Sequence, residues 1–277
     1  MLDVCGPTVS LHCTPDGLVL QRRTRFGREC GAPVVRVLSD QSLSSDQFQQ
    51  QMCTQLRSAF TELACTGARV DIIVADAWCR FFLTTPPVNV ANRTDLDAAV
   101  AVRFQSLYGE SAAEWLLRSD AQVAASFVTV ALPQALQRGL LDVADTCELA
   151  VVRIAPACIV AWNRWRRAVK VGDWFAQLSD KQMTLMVLDG TQVRHIVQQP
   201  LDAMAWHDPD WLTRCVEREA LRLNLPLPVK VACAGQVPPT WASANADAAK
   251  ARCHILAEKN CPAAAKRSVT EPAESIE

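Results

Sequence analysis

The spacing of apolar residues along the chain predicts short strands alternating with amphipathic helices. Residues 2–76 read as three strands, a helix and a fourth strand, with turn residues Pro15-Asp16-Gly17 between the first two strands. The helix is marked by one apolar stripe at three- and four-residue spacing, formed by Phe48, Met52, Leu56, Phe60 and Leu63. The fourth strand, Val70–Val74, is rich in β-branched residues, which suits a strand buried on both faces.

The same order of elements returns in the second half of the chain. Three short strands, over Trp174–Leu178, 183–188 and 193–197, are joined by turns at Ser179-Asp180 and Asp189-Gly190. A helix follows Asp208-Pro209, and a strand covers 229–234. Two β-β-β-α-β units joined by a helix near 156–168 predict two related α/β lobes.

The residues between the two units predict further strands and helices. A strand over Phe81–Thr85 precedes a helix that we expect to be capped by Thr94 and to end at Gly109. We assign 1–168 to a first lobe with an inserted small subdomain at about 78–132, and 169–237 to a smaller second lobe. Residues 238–277 are rich in alanine and polar side chains, and we expect a largely disordered tail with an exposed helix over 246–258.

Composition excludes several classes of protein. The net charge of −1 gives no overall field for nucleic acid or an anionic membrane. Twelve cysteines include no Cys-x-x-Cys pair and no zinc spacing, so we expect free thiols in a reducing cytosol, with a disulfide framework as the alternative. The sequence has neither a signal-peptide pattern nor an apolar run of the roughly 20 residues that span a bilayer.

One block of the sequence is rich in aromatic and charged residues: Val74-Ala75-Asp76-Ala77-Trp78-Cys79-Arg80-Phe81-Phe82, Arg103-Phe104, Tyr108-Gly109, Trp115 and Asp120. This block resembles the inserted subdomain of GspL- and MshI-type proteins. The repeated β-β-β-α-β unit is also the order of a ribonuclease-H-like lobe. The chain therefore resembles the actin-like ATPase superfamily, and within it PilM of type IV pilus assembly and the cytoplasmic parts of GspL and MshI.

This resemblance implies a nucleotide site that has degenerated. Actin-like ATPases hold phosphates on glycine turns after the first strand of each lobe. Laid on the first of these turns, residues 2–11 keep Asp3 but place Cys5 at the glycine and Ser10 at the lysine, and a Cβ in the turn blocks close approach to a phosphate. The second lobe has no Asp-x-Gly in 175–180.

If a nucleotide site is retained, the resemblance names Asp3, Gly6, Thr8 and Gly235 as its residues and Mg-ATP as its ligand. We expect no cofactor and no metal. The resemblance implies a cytoplasmic, non-catalytic scaffold among pilus or secretion assembly components. The implied partner is a cytoplasmic peptide of a PilN-like membrane protein, bound in a cleft between the lobes.

Four residues are candidates for partner contact: Trp78, Arg80, Trp162 and Trp165. The last two belong to an aromatic and arginine-rich segment that also reads as an amphipathic linker helix with solvated arginines. We expect no nucleic-acid partner, and contact with the inner membrane only through a partner.

Two alternatives remain open from the sequence. One is an active actin-like ATPase of the same fold. The other is a ribonuclease-H-like nuclease, in which Asp3, Glu62 and Asp76 would bind two Mg²⁺ ions from the first strand, the first helix and the fourth strand.

Overall fold

The computed structural model of the chain describes residues 8–24, 29–38, 45–88, 92–120, 125–190, 192–243 and 252–256. The strands are, in chain order, β1 (Thr8–Thr14), β2 (Gly17–Arg23), β3 (Glu29–Val37), β4 (Arg69–Val74), β5 (Arg80–Thr84), β6 (Trp115–Ser119), β7 (Phe127–Pro133), β8 (Ala150–Pro156), β9 (Trp174–Leu178), β10 (Gln182–Asp189), β11 (Gln192–Pro200), β12 (Lys230–Gly235) and β13 (Arg252–Ile255). The helices are α1 (Ser45–Glu62), α2 (Arg93–Tyr108), α3 (Gln134–Thr146), α4 (Ala157–Trp165), α5 (Ala203–His207), α6 (Trp211–Leu223) and α7 (Pro239–Ser243).

The two large sheets have the same topology. The first has the order β3-β2-β1-β4-β8 and the second β11-β10-β9-β12-β13. In each, three antiparallel strands are followed by two strands that run parallel to the first. The predicted α/β fold of two related lobes is confirmed.

A small third sheet lies within the first lobe's sequence. Its order is β5-β7-β6, all antiparallel, and α2 packs on it through its own apolar cluster, which includes Phe82, Phe104 and Phe127. The predicted cap of α2 was wrong by two residues. Asn92 caps the helix by accepting a hydrogen bond from the Asp95 backbone N–H at 3.0 Å, because an amide oxygen at the last extended residue reaches the first turn.

The second lobe extends further than we predicted. Part of the expected tail folds as α7 and β13, and β13 adds to the second sheet by pairing in parallel with β12. Cys253 and Leu256 are buried there, 6% and 7% exposed. Because 252–255 form a strand, the helix that we predicted over 246–258 is wrong for those residues.

The lobes share one apolar core. Helix α4 connects them, and Trp162 on this helix packs edge-on against Phe175 of β9, with ring centroids 5.4 Å apart. Among the described residues, no helix combines the length and the apolar character that crossing a bilayer requires.

Candidate functional site

Asp76 lies at the junction of the two lobes, immediately after β4. Its carboxylate accepts hydrogen bonds from the Cys158 backbone N–H at 2.9 Å and from the Thr184 hydroxyl at 2.8 Å. Its backbone carbonyl accepts a third from the Gln198 amide at 2.7 Å. Cys158 belongs to the first turn of α4, Thr184 to β10 and Gln198 to β11, so this one residue ties β4 to the second lobe.

Burial controls the electrostatics of this residue. Asp76 is 7% exposed, and desolvation raises its pKa to about 6, although the hydrogen bonds from Cys158 and Thr184 act in the opposite direction. Both carboxylate oxygens already accept a protein donor. No group of three metal-binding side chains occurs in the described part of the chain. The arrangement supports a structural tie between lobes.

The hairpin turns that follow the first strand of each lobe meet across the same junction. In the first lobe the turn at Pro15-Asp16 is closed by Thr14, whose hydroxyl donates to the Gly17 carbonyl at 2.9 Å. In the second lobe the turn at 180–181 is closed by the Ser179 backbone N–H, which donates to the Gln182 carbonyl at 2.9 Å. The Lys181 ammonium forms an ion pair with the Asp16 carboxylate, which joins the two turns directly.

This geometry corrects our placement of the first phosphate turn. Thr8 lies in β1, paired with Arg23 and Arg69 on the neighbouring strands, and not in a turn. Asp3 and Gly6 lie outside the described residues. The hairpin turn that follows β1 is at 15–16, outside the segment 2–11 in which we predicted the phosphate turn.

Gly235 ends β12 in a conformation that only glycine adopts easily. Its φ is +92°, and a Cβ there would lie 2.1 Å from the Leu178 carbonyl oxygen. The next residue, Gln236, donates its backbone N–H to that same carbonyl at 3.1 Å. The close approach of β12 to β9 is therefore sufficient to require glycine, with or without a ligand.

The structure does not bring Glu62 and Asp76 together, and Asp3, the third proposed nuclease residue, lies outside the described residues. Glu62 is the last residue of α1, about half exposed, and pairs with Arg36 of β3. Glu62 precedes β4, whereas Asp76 follows β4. The six residues of this strand span roughly 20 Å at about 3.3 Å per residue, so the two carboxylates lie at opposite ends of the strand. A two-metal site needs ligands around ions only about 4 Å apart.

Arg80 has an internal role in the inserted subdomain. Its guanidinium lies 5.7 Å from the Tyr108 ring centroid and 5.6 Å from that of Trp115. A nitrogen of the same group is 3.8 Å from the Glu110 carboxylate. These contacts connect β5 to the end of α2 and the start of β6.

The three candidate tryptophans are half-buried, and each packs against its neighbours. Trp78 lies edge-on to Phe48 of α1, with centroids 6.2 Å apart, and Trp162 packs on β9 as described above. The Arg164 guanidinium lies 5.2 Å from the Trp165 ring centroid. Their contacts are those of structural residues, and their role in partner binding stays a prediction.

Sequence reasoning missed a groove between the inserted subdomain and the second lobe. A cavity of ≈ 640 Å³ lies there, and its walls include Leu83, Thr84, Arg103, Ser126, Val193 and Arg194. Strand β5 is an edge of the small sheet and β11 an edge of the second sheet, and these two edge strands pack against each other beside the groove. The sequence held no clear signal, because the groove joins residues more than 100 positions apart.

Arginines give this groove a positive character. Arg194 pairs with Asp189 at 2.8 Å. Arg103 is exposed on α2, and among the described residues no acidic side chain lies within ion-pair distance of it. The groove therefore combines strand edges with an uncompensated positive charge.

No family model matches the sequence, and no curated protein matches it. Solved structures do match. A PilM–PilN type IV pilus biogenesis complex has a TM-score of 0.65 at 12% identity, covering 90% of this chain and 88% of that one. A protein of unknown function with an actin-like ATPase fold, from Bacteroides thetaiotaomicron, has a TM-score of 0.60 at 11% identity, with coverages of 92% and 94%.

A third similar structure is the cytoplasmic domain of EpsL, an inner-membrane component of the type II secretion system of Vibrio cholerae. Its TM-score is 0.56 at 9% identity, and the match covers 84% of both chains. Together with the two duplicated sheets, these similarities show that the chain has the actin-like ATPase fold. The resemblance found in the sequence is confirmed at the level of the fold.

Proposed function

We propose that this chain is a non-catalytic scaffold of a type IV pilus or type II secretion-like assembly platform, which docks the cytoplasmic segment of a membrane protein. Similarity to the PilM–PilN complex and to the EpsL cytoplasmic domain over most of each chain supports this assignment. At these identities the fold alone is shared, so the assignment also needs support from the residues of this chain.

The observation that carries the proposal is the ion pair between Asp16 and Lys181. In actin-like ATPases the phosphates lie between the two turns that these residues occupy. Here the lysine that would attract a phosphate is neutralised by a carboxylate, and that carboxylate would repel the phosphate. The close backbone contact at Gly235 further restricts the space beside β9. The residues present fit a closed junction better than a nucleotide site.

The groove between β5 and β11 is the docking site that we assign to the partner. An extended segment bound in it would lie along β5 and β11, in the manner of peptides that bind beside a strand edge. Arg103, which has no acidic partner among the described residues, would favour an acidic residue or a carboxylate in that segment. The expected partner is a membrane protein with an extended cytoplasmic segment of this chemistry, like the PilN component of the similar complex.

Site-specific photo-crosslinking in cells tests the docking site. A photoreactive amino acid is placed at Val193 or Ser126 in the groove, and at Leu141 on the exposed face of α3 as a matched control. We expect both groove positions, and not the control, to crosslink to one integral membrane protein. Crosslinks from Leu141 alone, or none from the groove positions in an assembling strain, contradict the proposal.

A further inference from the structure

One end of the second sheet gathers residues from three separate segments. Strands β9, β12 and β13 are parallel, so their amino-terminal ends lie at the same edge. The Val229 backbone N–H donates to the Gly172 carbonyl at 3.0 Å, which fixes the segment before β12 against the segment before β9. Arg252, at the start of β13, lies opposite Lys230.

This edge is strongly basic. The segment from Leu149 to Gly172 contains no acidic residue. Seven consecutive positions inside this segment, 164–170, hold four exposed basic residues: Arg164, Arg166, Arg167 and Lys170. Among the described residues, no acidic side chain lies within ion-pair distance of Arg166, Arg167 or Lys170.

The nearest carboxylate does not offset this charge. Asp173 is 2% exposed, its carboxylate accepts the Lys170 backbone N–H at 3.1 Å, and it lies 3.7 Å from the Lys230 ammonium. Its charge is therefore satisfied inside the fold by Lys230. The chain's overall charge of −1 conceals this local excess, because the acidic residues lie elsewhere.

Exposed aliphatic side chains lie beside these cations. Val171 is 75% exposed, Val229 71% and Leu227 46%. Val171 and Val229 flank the hydrogen bond between Gly172 and the segment before β12, so they lie on the same surface. Apolar side chains this exposed, close to the cations Arg166, Arg167 and Lys170, are typical of an interaction surface.

We propose that this basic and aliphatic edge, formed by Arg164–Val171, Leu227 and Val229, binds directly to the surface of an anionic lipid bilayer. The cations match acidic headgroups, and the three aliphatic side chains match the boundary between headgroups and acyl chains. A nucleic acid would be matched by exposed aromatic rings for stacking, whereas Trp165 is half-buried against the core. This direct contact with lipid would act beside the docking of a membrane-protein partner, and it does not depend on that docking.

Vesicle co-sedimentation of the full chain at physiological salt tests this surface. The vesicles are phosphatidylcholine alone, or phosphatidylcholine mixed with phosphatidylglycerol. We expect the chain to sediment with the mixed vesicles and not with phosphatidylcholine alone. Because each basic residue near an anionic surface contributes about fivefold in affinity, the double variant Arg166→Gln, Arg167→Gln should bind about 25-fold more weakly.

Two further variants separate this surface from charge in general. The pair Arg57→Gln, Arg118→Gln makes the same change in net charge at exposed arginines in the first lobe and should bind like the wild type. The pair Val171→Ser, Val229→Ser keeps every charge and should bind several-fold more weakly. Circular dichroism checks that each variant folds.

Three results would overturn the proposal. The first is a wild-type chain that does not sediment with the mixed vesicles. The second is an equal loss of binding in the Arg57 and Arg118 control. The third is binding of single-stranded RNA through Arg166 and Arg167 without vesicle binding, which would make the edge a nucleic-acid site.

Discussion

Replacing Asp76 by asparagine removes the buried charge at the lobe junction and keeps the shape of the side chain. The asparagine oxygen can still accept the Cys158 backbone N–H, and its amide can donate to the Thr184 hydroxyl, so the main hydrogen-bonding positions stay occupied. What changes is the cost of holding an ionised carboxylate where it is almost fully buried.

The magnitude follows from the pKa of Asp76. Burial raises it from 3.8 to about 6, and one unit corresponds to about 1.4 kcal/mol, so the ionised form costs about 3 kcal/mol at pH 8. A raised acid pKa means that the native state binds the proton more tightly than the unfolded state. The wild-type free energy of unfolding therefore falls as pH rises from about 4 to about 6, and this cost is constant above that window.

Urea unfolding of both proteins between pH 4 and pH 8 measures this effect, with tryptophan fluorescence and circular dichroism as two probes of the transition. The asparagine variant should exceed the wild type in free energy of unfolding by about 1–3 kcal/mol at pH 8. This difference should fall by about 2–3 kcal/mol toward pH 4, so that it disappears or changes sign. A difference that does not depend on pH, or one that grows on acidification, refutes the reasoning.

Two other predictions concern backbone contact and thiol burial. Gly235→Ala should lower the free energy of unfolding by about 3 kcal/mol, because its Cβ would meet the Leu178 carbonyl. Gly109 is also at positive φ but has open space around it, so Gly109→Ala should lower the free energy of unfolding by only about 1 kcal/mol. Urea unfolding measures both variants, and equal losses of stability would show that the Leu178 contact is unimportant. The exposed Cys30 should react with iodoacetamide in the native state at pH 8, whereas burial raises the pKa of the Cys158 thiol and should protect it until unfolding. Mass spectrometry of the labelled peptides measures both, and equal labelling of the two thiols would contradict the buried position of Cys158.

Much of the fold could be predicted from local patterns. The strand Trp174–Leu178 was predicted with both ends correct, because a short apolar run there is bounded by turn residues on one side and glycine on the other. The helix stripe from Phe48 to Leu63 likewise identified α1. In both segments the local sequence and the tertiary packing favour the same structure.

The parts that failed depend on contacts distant in sequence. Strand β13 has four residues and a mixed composition, and it becomes a strand only by pairing with the edge of β12. The ion pair between Asp16 and Lys181 joins turns 165 positions apart, and no spacing rule predicts it. The phosphate-turn motif predicted over residues 2–11 overlaps β1, because its residue types do not fix where the first strand lies.

The ion pair and the buried Asp76 also bear on how the lobes move. Both link the first lobe to β10 or to the turn before it, so opening the junction would break a charge pair and leave the Thr184 hydroxyl without its acceptor. A scaffold that holds one shape for its partner is consistent with such links between its lobes.

Calorimetric titration of the wild-type chain with Mg-ATP tests the central claim most directly, with an assay for released phosphate in parallel. The account predicts no binding heat up to millimolar nucleotide and no hydrolysis, because Lys181 is neutralised by Asp16 where the phosphates would lie. Micromolar binding that is lost in Lys181→Ala or in Asp3→Ala would contradict it and establish the chain as a nucleotide-binding member of the actin-like fold.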